Sequence, residues 1–430
     1  MLHIVFLVGS YYPYFSAVGT CCFNVAEEMA KNNKVTVICM QSRFGQEKKE
    51  KFQGQTILRV SHEWWDVRLK LDQNVNMSRG ITKKWNYLAL QIIRVKQYLQ
   101  IICSRTSLNK AWIKSYQETL ESIEDPIDVI IPFCFPMEAV VAAMEYKKKH
   151  KQVQLIPYLF DPFVESHTLH RTKWNKYLKQ KNNTSIEKKM LDLSLSVFSV
   201  NQLHKHFENY GKLSKKIVFT EHPLLKNFAY KLNSNSGCTE TLCFTYTGVF
   251  DKSIRNPEYL LRFMLNVLPK VNGKIHLYTY GNCGSVIGKF CTESEGHIID
   301  HGCVAKDEAI CAIVSSDFLI CVGNIDNLQV PSKIFEYMSA GKPIVHFYTV
   351  DDDANVKILT DYPLSLCLKQ DNKLLGENIE KFIAFCELNK GRILDFREVE
   401  QKFNYANPRF IAEQMMCAIK KGKYDKKGNK

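Results

Sequence analysis

A short polar cluster in the second half of the chain has a spacing that suits nucleotide binding. Ser332 and Lys333 follow Pro331, and Glu336 comes three residues after Lys333. The pattern predicts a helix with Ser332 as its N-cap and with Lys333 and Glu336 on one face. Free N–H groups at a helix N-terminus attract phosphate. Lys333 could then meet a diphosphate while Glu336 accepts two ribose hydroxyls. An ordinary capped helix with a surface lysine and glutamate is the alternative interpretation of this spacing.

Two series of apolar strands and helices would position this cluster. The strand His3–Gly9, the helix Thr20–Asn32 and the strand Lys34–Met40 are predicted to form a βαβ unit. Further strands are predicted at Thr56–Ser61, Asp128–Phe133, Leu155–Phe160, Ser196–Val200, Lys216–Glu221, Leu242–Thr247, Lys274–Tyr280, His297–Asp300, Asp317–Val322 and Pro343–Phe347. Helices of the second half are predicted at Glu258–Leu268, Lys306–Ser315 and Ser332–Ala340. Almost wholly apolar strands that alternate with helices predict parallel sheets covered on both faces.

The length and charge of the chain predict two unlike halves. A chain of 430 residues is too long for one core. We expect a domain over residues 1–220, a second domain over 221–390, and a C-terminal helix with a charged tail over 391–430. Residues 1–220 hold 32 Lys and Arg against 19 Asp and Glu, which is 13 of the net 14 positive charges. This excess predicts a polyanionic partner for the first domain, either an anionic membrane or a nucleic acid.

The segment Ile81–Ile123 differs from the rest of the chain and is predicted as long helix. No acidic residue occurs from Gln73 to Gln117. Its bases and aromatic residues alternate: Lys83, Lys84, Arg94, Lys96, Arg105, Lys110 and Lys114 with Trp85, Tyr87, Tyr98, Trp112 and Tyr116. Such a helix can lie on an anionic bilayer. A solvated helical face over a large domain is the alternative.

The cysteines favour a reducing compartment. The acidic motif at Asp351–Asp353 does not indicate a metal centre. The 15 cysteines include no CxxC pair, so we expect free thiols in a cytoplasmic protein. Asp351–Asp353 is interpreted as a loop, and no metal site or cofactor is predicted. The charge-free stretch of residues 4–26 contains Gly9, Pro13 and Asn24, which favours a strand, a loop and a helix over a leader or a membrane span.

The run from Pro331 to Val345, P-S-K-I-F-E-Y-M-S-A-G-K-P-I-V, resembles the donor-site signature of family 4-like glycosyltransferases of the GT-B fold. It is similar to the branch with P-S-K-x-x-E-Y, because Leu328 stands where the longer form has a first glutamate. The resemblance implies that Glu336 binds the ribose of the donor and that Pro331, Ser332 and Lys333 lie beside it. Asn327 is a candidate contact to the sugar or a simple turn residue.

Other stretches resemble the same family in chain order. Phe244–Phe250, with Gly248, is similar to the first strand and loop of the nucleotide domain. The resemblance then implies that Arg255 meets the diphosphate, with Lys252 as the reserve, although a plain ion-pair role for Arg255 stays open. Gly281 matches a second glycine turn. Val304, after His301–Cys303, is implied as a neighbour of the base.

The first half carries two further candidates. Gly19, after Ser10–Pro13, resembles the glycine loop over the donor phosphate and sugar. Asp161 follows an apolar strand, where relatives have a nearby histidine, and could orient the acceptor hydroxyl or the donor sugar. The alternative for Asp161 is a turn former before Pro162.

Taken over the chain, the resemblance implies an α/β protein with two facing Rossmann-like domains and an interdomain cleft. It implies a retaining, metal-independent transfer of a sugar from a nucleoside diphosphate sugar, with leaving-group charge stabilised by Arg255, Lys333 and helix N–H groups. We expect a glycan or lipid-linked acceptor in cell-surface polysaccharide synthesis, and a peripheral position at the inner face of the membrane. The alternatives are a nucleotide-sugar epimerase of the same fold and a non-catalytic nucleic-acid binder, although no nucleic-acid module is visible.

Overall fold

Two compact units make up the protein. The computed structural model describes residues 1–166, 169–228, 241–325 and 332–428. One unit comprises Met1–Pro223 and Pro408–Lys430, and the other comprises Leu224–Asn407. We call them the N-terminal and the C-terminal unit. Each is an α/β domain built on a largely parallel sheet, which confirms the predicted fold class.

The N-terminal unit has a nine-stranded sheet in the order β3-β4-β2-β1-β5-β7-β8-β9, with β6 paired to β5. The strands are β1 His3–Val8, β2 Lys34–Met40, β3 Lys49–Phe52, β4 Gln55–Val60, β5 Val129–Cys134, β6 Gln154–Leu155, β7 Tyr158–Leu159, β8 Val197–Val200 and β9 Ile217–Thr220. Every pair is parallel except β3 with β4. All six residues of β1 are buried, so both faces of the sheet centre are covered.

Seven helices follow these strands within the N-terminal segment that the structure describes. They are α1 Ala17–Ala30, α2 Glu63–Met77, α3 Gly80–Cys103, α4 Lys110–Glu121, α5 Met137–Lys149, α6 Lys173–Leu193 and α7 His204–Glu208. The chain runs from β1 to β2 on one side, while β5 lies on the other. The carboxyl ends of β1 and β5 therefore form the switch point of this sheet, where ligands of parallel sheets bind.

The C-terminal unit has a six-stranded, wholly parallel sheet in the order β12-β11-β10-β13-β14-β15. The strands are β10 Leu242–Phe250, β11 Gly273–Gly281, β12 Ile298–Asp300, β13 Phe318–Val322, β14 Ile344–Tyr348 and β15 Ser365–Lys369. The helices are α8 Glu258–Val267, α9 Gly284–Glu293, α10 Lys306–Ser315, α11 Lys333–Ser339, α12 Ala354–Leu359, α13 Leu375–Asn389 and α14 Phe396–Lys402. The last helix, α15 Pro408–Gly428, belongs to the N-terminal unit and packs on α1. The switch point of the C-terminal sheet lies between β10 and β13.

Most predicted strands and helices are confirmed, but the predicted strand Leu155–Phe160 is wrong as a single element. The structure has β6 before Pro157 and β7 after it. Proline has no N–H for a ladder, and its carbonyl instead accepts a hydrogen bond from the N–H of Phe198 at 2.8 Å.

The segment Ile81–Ile123, predicted as long helix, is helical in two pieces, α3 and α4. The chain breaks between α3 and α4, where the side chain of Asn109 caps α4 by accepting a hydrogen bond from the N–H of Ala111. Trp112 and Tyr116 on α4 are buried, and the Tyr116 hydroxyl donates to the carbonyl of Val8 at 2.6 Å. These two aromatic residues therefore belong to the core and are not part of an exposed basic face.

Candidate functional site

The predicted helix around Lys333 exists as α11, but Ser332 does not cap it as expected. Ser332 has helical backbone angles (φ −66°, ψ −8°), and its side chain makes no capping hydrogen bond. Gly341 ends the helix with φ +66°, and its N–H donates to the carbonyl of Met338 at 3.0 Å. The helix is therefore fixed at its C-terminal end by the glycine stop that the sequence predicted.

Glu336 carries the main electrostatic feature of the site. Its carboxylate is buried and accepts a hydrogen bond from the amine of Lys333 on the same helical face. Burial by itself would raise the pKa of Glu336, but the charges of Lys333 and Lys306 and the hydrogen bond from Lys333 outweigh it. The pKa therefore lies below its ordinary value. Glu336 is a buried anion at neutral pH, which is what an acceptor of hydroxyl hydrogen bonds requires.

Lys306 is a participant that the sequence analysis missed. It begins α10, and its charge lowers the pKa of Glu336 on α11. Val304 lies two residues before it, partly buried, in the loop that joins β12 to α10. Val304, the predicted neighbour of the base, is therefore only two residues from a lysine whose charge acts on Glu336, the predicted ribose ligand.

Arg255 lies at the switch point of the C-terminal sheet. Its Nε and one terminal nitrogen donate to the side-chain oxygen of Asn324, at 3.1 and 2.7 Å, just beyond β13. The other terminal nitrogen is 3.4 Å from the carbonyl oxygen of Val249 on β10. These described acceptors are neutral oxygens, so they hold the guanidinium between the two strands without neutralising its charge.

The two candidate glycines of this unit lie at the carboxyl ends of neighbouring strands. Gly281 pairs in register with Phe250 and has φ +130°. A Cβ atom at Gly281 would lie 2.0 Å from the carbonyl oxygen of Phe250. Glycine is therefore required here by the close approach of β10 and β11. Gly248 lies on β10, directly after Thr247. The N–H of Thr247 donates to the hydroxyl of Tyr337 on α11 at 2.9 Å.

Two predicted contacts, Asn327 and Pro331, fall outside the described residues, as does Leu328. Gly19 and Asp161 belong to the N-terminal unit. A Cβ atom at Gly19 would lie 2.0 Å from the carbonyl oxygen of Ser10, so the loop after β1 crosses the start of α1 closely. This packing alone requires a glycine there, and the predicted donor contact stays a prediction.

Asp161 is half-buried just after β7. Burial raises the pKa of the Cys134 thiol well above its usual range, and the charge of Asp161 adds to the rise. Cys134 ends β5, so Asp161 lies near the carboxyl edge of the N-terminal sheet. Within the described ranges, no group of three His, Cys, Asp or Glu side chains is placed to hold a metal ion.

A pocket of about 360 Å³ opens at the carboxyl edge of the C-terminal sheet. Gly323, Thr349 and Gln370 line it from the ends of β13, β14 and β15, and Asn256 and Tyr259 line it from the start of α8. Its volume is in the range of small-molecule sites. No sequence pattern predicts this pocket, because its walls come from four segments that only the sheet order brings together.

A buried ion pair lies directly beneath Gly323. The Nε2 atom of His346 is 3.1 Å from Oδ1 of Asp353, and Asp353 also caps α12 through the N–H groups of Asn355 and Val356. A Cβ atom at Gly323 would lie 2.6 Å from Oδ2 of Asp353. The pair therefore supports the floor of the pocket.

The pair predicts a fall in stability at alkaline pH. Burial lowers the pKa of His346, but Cys321 and Asp353 outweigh it and raise the pKa to about 9. A histidine whose pKa is raised on folding contributes stability that is complete below about pH 6.5 and lost as the pH rises through about 9. We expect the free energy of unfolding to fall by about 3 kcal/mol across this window. Thermal unfolding of the full chain from pH 6 to 10 measures it.

His346→Gln should flatten this slope, whereas His204→Gln, at an exposed histidine of α7, should not change it. Equal slopes for all three proteins would contradict the role of the buried pair.

Comparison with known proteins places the fold. Neither a family model nor a curated protein matches the chain. Solved structures match it over almost its whole length. Sucrose-phosphate synthase from Thermosynechococcus elongatus is 12% identical, with a TM-score of 0.64 over 98% of this chain and 99% of that chain. The trehalose-6-phosphate structure from E. coli, bound with UDP-2-fluoro glucose, is 10% identical, with a TM-score of 0.61 over 97% and 99%.

A third structure, Anabaena Alr3699/HepE in complex with UDP and glucose, is 12% identical, with a TM-score of 0.53 over 100% of both chains. The likeness covers both units and their order along the chain. The protein therefore has the GT-B fold.

Proposed function

We propose that the protein is a glycosyltransferase that moves a sugar from a nucleoside diphosphate sugar to an acceptor hydroxyl. The observation that carries the proposal is the buried, ionised carboxylate of Glu336, held by Lys333 at the carboxyl edge of a parallel sheet. Burying an ionised carboxylate costs free energy, and hydrogen bonds from the hydroxyl groups of a ligand would offset this cost. Structures with the same fold that hold UDP-2-fluoro glucose, or UDP and glucose, support this choice of donor.

Different side chains of the C-terminal unit bind different parts of the donor. Glu336 accepts hydrogen bonds from the ribose, and Val304 borders the base. Arg255, Lys333 and backbone N–H groups near Ser332 meet the diphosphate, with Gly248 and Gly281 allowing close approach of the backbone. Pro331 and Asn327 complete the proposed donor set. The roles proposed for Gly19 and Asp161 are a donor contact and orientation of the acceptor hydroxyl or donor sugar.

The chemical step breaks the bond between the anomeric carbon and the diphosphate oxygen. The acceptor oxygen forms the new bond to that carbon, and one proton is released. Negative charge develops on the departing diphosphate, so fixed cations that lie beside it lower the barrier. Arg255 and Lys333 supply this charge, which is why we propose a transfer without a bound metal. Retention of the anomeric configuration is part of the proposal.

We propose further that the acceptor is a glycan or a lipid-linked glycan in cell-surface polysaccharide synthesis. The first half of the chain carries 13 of the 14 net positive charges, which suits work at an anionic surface. The protein would then act in the cytoplasm, peripherally at the inner face of the membrane.

Three measurements test the function. Thermal unfolding of the full chain with nucleoside diphosphates and nucleotide sugars should show stabilisation by one base class; a ligand at 100 times its Kd stabilises by about 2.7 kcal/mol. The selected donor is then incubated with and without a panel of glycoside acceptors. Release of nucleoside diphosphate that rises with an acceptor supports a transferase. Conversion of the donor without acceptor would instead identify an epimerase. Salt-sensitive RNA binding without any nucleotide effect would favour a nucleic-acid binder.

A further inference from the structure

Helix α3 presents an uninterrupted apolar stripe to solvent. Six side chains follow one another at intervals of four and three residues along one face: Ile81, Trp85, Leu88, Ile92, Val95 and Leu99. They are between 49% and 74% exposed. The opposite side of α3 holds the buried Leu90 and Ile93, and α3 packs against α2. A stripe of this length on the solvent side of a helix marks a surface that binds something apolar.

A second helix, distant in sequence, continues this character. The first two turns of α6 expose Trp174, Tyr177 and Leu178, each between 71% and 78% exposed. Helix α6 contacts the end of α3, where the amine of Lys179 donates to the carbonyl of Ile101. The amide of Asn182 donates to the carbonyl of Arg105, just after α3, at 2.9 Å. We define the α3–α6 surface by the six stripe residues of α3 and these three residues of α6.

The charged residues of α3 and of the first half of α6 are all basic. No acidic residue occurs from Gln73 to Gln117 or from Leu169 to Ile186. The exposed bases of α3 and of the first half of α6 are Lys83, Lys84, Arg94, Lys96, Lys173 and Lys181. Two of them also have local partners: Arg94 is 3.6 Å from Asp72, and the amine of Lys96 is 3.1 Å from the ring centre of Trp64. The partner must therefore offer apolar contact and negative charge together.

An anionic bilayer meets both requirements. Its acyl boundary accepts the aliphatic and aromatic stripe, and its headgroups accept the bases. A second copy of this chain would bring the same positive charge against itself, which is unfavourable. A nucleic acid would match the bases, but it offers no apolar phase for Ile81, Leu88 and Ile92. Within the described residues, no helix has the length and apolar character that a bilayer crossing requires.

We propose that the α3–α6 surface binds an anionic lipid bilayer at its interface, with the apolar stripe in the headgroup region and the flanking bases on lipid phosphates. This binding needs no nucleotide and no acceptor, so it stands or fails separately from the transferase activity. The structure also revises the sequence-based expectation: the aromatic residues of α4 are in the core, and α6 supplies exposed ones in their place.

Vesicle flotation of the full chain tests the proposal. The vesicles are phosphatidylcholine alone, or phosphatidylcholine with phosphatidylglycerol. We expect binding to the anionic vesicles only, weakening with added salt. The double variant Trp85→Ser with Ile92→Ser removes two stripe residues, and Lys83→Glu with Lys84→Glu reverses two charges. Each should lower the partition coefficient about tenfold or more.

Matched controls lie on the C-terminal unit. Leu388→Ser changes an equally exposed apolar residue, and Lys270→Glu with Lys274→Glu reverses two exposed lysines; both should bind as the wild type does. An unchanged melting temperature shows that each variant is folded. Absence of wild-type binding to anionic vesicles, or equal binding by all variants, would overturn the proposal. So would a dimer that Trp85→Ser with Ile92→Ser dissolves without any vesicle binding, since the occupant would then be a second copy.

Discussion

Glu336→Gln is expected to weaken the affinity for the preferred nucleoside diphosphate about 100-fold or more. The carboxylate is a buried anion whose pKa is held below its ordinary value by Lys333 and Lys306 despite burial. A charge-assisted hydrogen bond contributes about 1.5–3 kcal/mol, and the proposed role gives Glu336 two of them to the ribose. Glutamine keeps the shape but removes the charge. Isothermal titration with the nucleoside diphosphate measures the change.

A comparison of two ligands distinguishes a direct contact between Glu336 and the ribose from a general effect on the site. A 2′-deoxy nucleoside diphosphate should bind more weakly than the ribo form to the wild type. The two forms should differ little for Glu336→Gln, because the coupled partner is already lost. Glu293→Gln is the matched control, because Glu293 is an exposed carboxylate of α9 that pairs with Lys289 at 3.7 Å and lies outside the pocket. Unchanged affinity in Glu336→Gln would remove the ribose role while leaving the fold assignment intact.

The contact of Glu336 with Lys333 could be predicted from the sequence, whereas its interaction with Lys306 could not. The three-residue spacing of Lys333 and Glu336 predicted a shared helical face, and the structure joins them by a hydrogen bond. Such local geometry follows from helical periodicity alone. The effect of Lys306 on Glu336 was not predictable, because the two residues are on different helices and only the sheet order brings their charges together.

The errors in the sequence-based predictions have two physical causes. Trp112 and Tyr116 have the composition of an exposed interfacial face, yet the core of the N-terminal unit takes both rings. The elements that were not predicted by residue include helices α2, α5, α6, α7, α9 and α12 and strands β3 and β15. Strand β3, K-E-K-F, lies at the sheet edge in an antiparallel pair, where polar residues are tolerated and periodicity is weak. Apolar central strands such as β1 and β13 were predicted correctly because burial on both faces leaves them no polar positions.

Arg255→Gln is expected to lower kcat for sugar transfer about 10²- to 10³-fold, which is the usual effect of removing one donor to developing negative charge. The guanidinium is held at the switch point by Asn324 and by the carbonyl of Val249, through neutral oxygens that leave its charge for a ligand. Its charge should act most strongly on the departing diphosphate, so donor affinity should fall less than kcat. Steady-state kinetics with the donor selected by thermal unfolding gives both quantities.

A purely structural role for Arg255 predicts different results. Arg255→Lys keeps the charge but loses the planar fork that meets Asn324, so it should recover part of kcat if charge on the leaving group matters. If Arg255 only ties β10 to the segment after β13, both variants should lower the melting temperature alike and leave kcat per folded molecule near the wild-type value. Arg392→Gln provides the matched control, because Arg392 is an exposed arginine outside the pocket that, like Arg255, donates to an asparagine side-chain oxygen, that of Asn389 at 2.9 Å. A kcat unaffected by Arg255→Gln would assign leaving-group stabilisation to Lys333 and the backbone N–H groups at the start of α11.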